Sequence, residues 1–80
     1  MVENFLKEYA RLISDYPEQI EIQKVELDKN FFELIIFANK LDTGKLIGKN
    51  GKMINAIKVV ISAYKSKDEN SYRVTVKAIE

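Results

Sequence analysis

The sequence predicts an α+β fold in the order α-β-β-α-α-β, with three helices packed on one face of a three-stranded sheet. Three observations carry this. Apolar residues recur at helical spacing near the N-terminus and again after residue 51; two segments between them and one at the C-terminal end are patterned as strands. All three glycines fall within residues 44–51, between two helical patterns. Eighty residues leave room for one hydrophobic core, so residues 1–80 are expected to form a single domain.

The first helix is expected over Val2–Tyr16. Val2, Phe5, Leu6, Tyr9, Leu12, Ile13 and Tyr16 share one side, and Glu3, Lys7, Glu8, Arg11 and Asp15 the other. Pro17 should end it, because proline disfavours helical geometry at the preceding residue and has no N–H to donate. From Ile20 to Leu27 the alternation changes phase, with Ile20 and Ile22 in one register and Val25 and Leu27 in the other. A strand with a bulge near Gln23-Lys24 is therefore expected. Asp28-Lys29-Asn30 has turn chemistry, and Phe31–Ala38 (FFELIIFA) completes a hairpin. Phe32, Leu34, Ile36 and Ala38 form one apolar face. The other carries Glu33 among Phe31, Ile35 and Phe37, so even the outer face is apolar.

Asp42 suits the N-cap of a short helix, Thr43–Ile47, that stops at Gly48. A longer helix should run from Lys52 to about Ser66, followed by a polar loop at Lys67–Asn70 and a last strand at Tyr72–Ile79. In that strand Tyr72, Val74, Val76 and Ala78 alternate with Arg73, Thr75 and Lys77. The long helix is unusually apolar. Asn55, Lys58, Ser62, Lys65 and Ser66 share one stripe, and the remaining residues from Met53 to Tyr64 span an arc of about 220°, well over the width of one core face. Either the first helix covers the surplus or a partner does. Ala56, Val59 and Ala63, small enough for close helix approach, are the candidate dimer surface.

The chain has neither cysteine nor histidine, so a disulfide framework, a thiolate nucleophile, the usual zinc ligands and the commonest general base are all missing. No catalytic residue, metal site or cofactor is expected. Carboxylates such as Asp15, Glu18 and Glu21 have no partner base and fit a solvated surface. No apolar run approaches the roughly 18–20 residues of a membrane span, and no basic-then-apolar leader opens the chain, so a cytoplasmic protein is expected.

A formal net charge of +1 argues against a polyanion partner until the charges are sorted. Residues 1–43 hold five basic and nine acidic side chains, a net of −4; residues 44–80 hold eight and three, a net of +5. Between Thr43 and Lys67 lie six lysines (45, 49, 52, 58, 65 and 67) and no acid. That segment suits a polyanion.

The glycines sit in the middle of it, in Gly44-Lys45-Leu46-Ile47-Gly48-Lys49-Asn50-Gly51-Lys52. A G-x-x-G turn between two helices lets a sugar-phosphate backbone approach the main chain, with amides at the start of the second helix facing a phosphate. Lys45, Lys49 and Lys52 would surround it. The same residues also serve as a helix C-cap and tight turn without a ligand. Spacing excludes a dinucleotide-binding G-x-G-x-x-G and a P-loop. A helix-turn-helix is disfavoured as well, because its second helix needs a polar face to read DNA and this one offers a narrow stripe.

Leu46-Ile47-Gly48-Lys49-Asn50-Gly51-Lys52-Met53-Ile54-Asn55-Ala56-Ile57 resembles the signature of the KH RNA-binding domain: an apolar pair, G-x-x-G, then isoleucines three and six residues on. The element order is similar to the type II KH arrangement. With the resemblance spanning essentially the whole chain, it looks closest to the small stand-alone bacterial KhpA (YlqC-like) family. The resemblance implies a clamp at Gly48, Lys49, Asn50 and Gly51 that holds the backbone of a short single-stranded RNA, with Lys45 and Lys52 flanking it. Ile47 and Ile54 would line the base groove, unless they belong to the core. It also implies an RNA chaperone or post-transcriptional regulator, and a homodimer or a heterodimer with another KH-containing protein. The alternative is a protein-interaction module that works through the apolar helix 52–66 and binds little RNA.

Overall fold

The computed structural model describes residues 2–63 and 70–79. The elements are α1 (Val2–Ile13), β1 (Glu21–Asp28), β2 (Phe31–Ala38), α2 (Lys40–Ile47), α3 (Lys52–Ser62) and β3 (Ser71–Ala78), with short 3-10 turns at Pro17–Gln19 and Lys49–Gly51. This is the α+β order α-β-β-α-α-β that the sequence predicts. β2 is the central strand. It pairs antiparallel with β1 through a tight turn, where Asn30 takes a φ of 58°, and parallel with β3 in unbroken register from Phe31↔Ser71 to Ala38↔Ala78. The parallel pairing requires a crossover, and α2 and α3 supply it.

One face of the sheet carries the core. Leu34, Ile36 and Ala38 of β2 and Val74 of β3 meet Val2, Leu6 and Ala10 of α1, Leu46 of α2, and Ile57 and Ile61 of α3. Ile20, just before β1, is also fully buried there. On the other face Ile35 is buried between its cross-strand partners Gln23 and Thr75, and Phe31, Glu33 and Phe37 are half-buried.

Several features differ from the sequence-based expectation. α1 ends at Ile13, short of Tyr16. The chain after it is captured by Asp42, whose two carboxylate oxygens accept hydrogen bonds from the Asp15 and Tyr16 backbone N–H groups, both at 2.9 Å. Asp42 is therefore not the N-cap of α2 but a fully buried acceptor one turn inside it. The cap is Asn39, whose side-chain oxygen accepts from the Leu41 N–H at 2.9 Å, and α2 starts at Lys40 instead of Thr43.

The bulge is also displaced. Pairing is continuous through Gln23 and Lys24, and the register slips between Glu26 and Asp28. Lys24 and Glu26 stay in phase with Ile22, opposite Leu34 and Phe32. Lys24 tolerates that position by laying its ammonium over the Phe32 ring, 4.6 Å from the centroid. Val25 then falls on the outer face opposite Glu33. Finally, β3 begins one residue earlier than expected, and α3 is described to Ser62 with Ala63 as its C-cap. The expected extension to Ser66 and the loop at 67–69 lie outside the described residues.

Candidate nucleic-acid interface

The G-x-x-G turn is formed by the geometry its glycines permit. Gly48 caps the C-terminus of α2: its N–H donates to the Gly44 carbonyl at 2.8 Å, and it adopts φ 77°, ψ 170°, a region reserved for glycine. A Cβ on Gly48 would stand 2.7 Å from both the Cβ and the backbone nitrogen of Met53, so α3 also leaves no space for a side chain here. Asn50 and Gly51 are both left-handed, at φ 57°, ψ 27° and φ 76°, ψ 14°. Around Gly51 there is room, with the nearest atoms to a Cβ at 3.8 and 3.9 Å, on Asn55 and Ile54.

The turn closes on itself. The Gly51 N–H donates to the Gly48 carbonyl at 3.1 Å, and the Lys52 N–H donates to the Lys49 carbonyl. These two amides, at the N-cap and the first residue of α3, are thus satisfied within the turn. Lys49 and Asn50 form the exposed tip, and Lys52 is exposed directly after it. On either side, Ile47 is 40% exposed and Ile54 half-buried, and neither is in the buried core. Two partly accessible apolar side chains thus flank a basic turn in the chain.

Lys45 stands apart from the other two lysines. Its ammonium hydrogen-bonds the Asp15 carboxylate, beyond the end of α1, and this contact raises its pKa above the ordinary lysine value, against a smaller opposing effect of desolvation. The sequence contains no local signal for that pair, since the partners are 30 residues apart. It forms because Asp42, on the same side of α2, holds the Asp15 backbone in place.

α3 leaves its candidate dimer residues uncovered. Ile57 and Ile61 are buried, while Ala56, Val59 and Ala63 are exposed, Val59 by 70%. α1 reaches only the margin of this surface, where Phe5, Leu6 and Tyr9 form a shallow cleft with Ile57 and Val60. Ala56, Val59, Val60 and Ala63 are spaced i, i+3, i+4 and i+7 and so form one continuous apolar stripe. Among the described residues, no group of three or more acidic side chains is placed to hold a metal ion, and no helix is long and apolar enough to cross a membrane.

Comparison with known proteins agrees with this architecture. Residues 3–76 match the family model described as KhpA/KhpB, KH domain. The chain is 41% identical over 61 residues to the RNA-binding protein KhpA of Oceanobacillus iheyensis, covering 75% of this chain and 76% of that protein. It is 27% identical over 79 residues to the protein of the same name from Thermotoga maritima, covering 98% and 99% of the two chains. With the KhpA of Chlamydia pneumoniae it shares 30% over 79 residues, 99% of this chain and 97% of that one. The family match over residues 3–76, together with the element order described above, makes this chain a member of the KhpA/KhpB family of KH-domain proteins.

Proposed function

We propose that the chain is a non-enzymatic, cytoplasmic RNA-binding protein, a single KH domain over residues 1–80, that holds short single-stranded RNA at the turn between α2 and α3. The observation that carries this reading is the turn itself: Gly48 pressed against Met53, Lys49 and Asn50 at an exposed tip, and Ile47 and Ile54 accessible on its flanks. The name RNA-binding protein, carried by the relatives, supports it. In this reading the backbone of the RNA passes over Gly48, Lys49, Asn50 and Gly51, Lys45 and Lys52 meet phosphates, and bases contact Ile47 and Ile54. A small protein that holds single strands without reacting with them suits an RNA chaperone or post-transcriptional regulator.

Fluorescence anisotropy with a short, labelled, mixed-sequence single-stranded RNA tests it. If about three lysines meet phosphates, log K should fall against log salt with a slope near −2. The K49D/N50D double variant should lose binding, because it sets two negative charges against the phosphates at exposed turn positions. Binding that survives in the variant, or an affinity indifferent to salt, would overturn the assignment.

A second activity rests on the exposed stripe of α3. Ala56, Val59 and Ala63 form the contact surface of a homodimer, or of a heterodimer with another KH-containing protein. A chain that self-associates but does not bind RNA would instead be an interaction module with an idle loop.

A further inference from the structure

We propose that Asp15 restrains Lys45, so that RNA binding at the turn proceeds by exchange of the Asp15 carboxylate for a backbone phosphate. This inference rests on the RNA-binding assignment of the α2–α3 turn and adds a residue that tunes its affinity.

Five observations lead to it. Lys45 lies in the last turn of α2, three residues before Gly48, the first residue of the candidate clamp. That ammonium is held by the Asp15 carboxylate. Asp15 is itself fixed relative to α2, because its backbone N–H and that of Tyr16 both donate to Asp42, one helical turn before Lys45. The pair therefore joins a lysine to a carboxylate whose backbone is already anchored to the same helix, which reduces the conformational entropy lost in forming it. Both side chains remain accessible, at 46% exposure for Lys45 and 65% for Asp15, so an incoming phosphate can displace the carboxylate. Among the described residues, Lys49 and Lys52 form no such ion pair.

The consequence is a competition. A phosphate that takes Lys45 must leave Asp15 unpaired and close to the polyanion. The cost is that of breaking an exposed ion pair, and removing it should tighten binding about two- to five-fold at low salt. Because salt screens an exposed pair, the gain should shrink as ionic strength rises, and the salt dependence of the Asp15 variant should be steeper than that of the parent.

The test is a double-mutant cycle with D15N, K45Q and D15N/K45Q, read by anisotropy on the same single-stranded RNA across a salt series. D15N keeps the backbone N–H that Asp42 accepts, and thermal unfolding checks that each variant is folded. The expected result is tighter binding by D15N in the presence of Lys45 and no gain in the K45Q background. An equal gain in both backgrounds would show a bulk charge effect and overturn the exchange; so would a D15N variant that binds as the parent does. The K49D/N50D variant separates the two levels. Its full retention of binding overturns the turn assignment itself, whereas its loss of binding, together with a silent D15N, overturns the exchange alone.

Discussion

Three glycines in eight residues have three different reasons to be there, and alanine substitution separates them. Gly48 combines a glycine-only backbone conformation with a 2.7 Å approach to Met53, so Gly48→Ala should cost about 2–4 kcal/mol of stability. Gly51 has the left-handed conformation without the crowding, and Gly51→Ala should cost about 1–2 kcal/mol. Gly44 is inside α2, and a Cβ there would meet nothing within 4 Å, so Gly44→Ala should stabilise the fold by about 0.5–1 kcal/mol through helix propensity. Urea unfolding of the three variants gives this order directly. A Gly48→Ala protein as stable as Gly51→Ala would mean that Met53 yields space the structure does not show.

At the scale of elements, Asp42 ties the chain that follows α1 to α2. A capping aspartate is worth about 1 kcal/mol. A buried carboxylate that satisfies two backbone donors on another segment is worth more, because its removal strands both N–H groups at the α1–α2 junction. Asp42→Ala should therefore destabilise the protein by about 2–4 kcal/mol, and Asn39→Ala by about 1 kcal/mol, in the same denaturation experiment. Equal effects would return Asp42 to a capping role. The sequence showed that a polar residue of capping type stood at 42. It could not show that a partner 26 or 27 positions earlier would claim it, because the cap signal is local and the competing hydrogen bonds are not.

At the scale of the whole molecule, the two halves of the chain perform different tasks. The acidic first half supplies α1 and the hairpin, and the basic second half supplies the turn, α3 and the exposed apolar stripe. The described α3 buries only Ile57 and Ile61 fully, so an interface over Ala56, Val59 and Ala63 would add apolar burial that a chain of 80 residues does not achieve alone. Ala56→Glu should leave the monomer folded, since the position is exposed, and should shift a dimer that uses this face to monomer in sedimentation or light scattering. A dimer that persists must use another surface, such as the half-buried Phe31 and Phe37 on the sheet face opposite the core.

The element order, the central strand Phe31–Ala38, the stop at Gly48 and the glycine turn were all legible in the sequence, because each follows from a local pattern: alternation, helical periodicity, or a backbone conformation that few residues tolerate. Sorting the charges also located the basic turn despite an overall charge near zero. The early end of α1, the burial of Asp42, the pairing of Lys45 with Asp15 and the continuity of β1 through Lys24 were decided by tertiary structure. In each of these a polar side chain meets a partner distant in sequence, and its role depends on which partner the fold brings within hydrogen-bonding or ring-stacking distance.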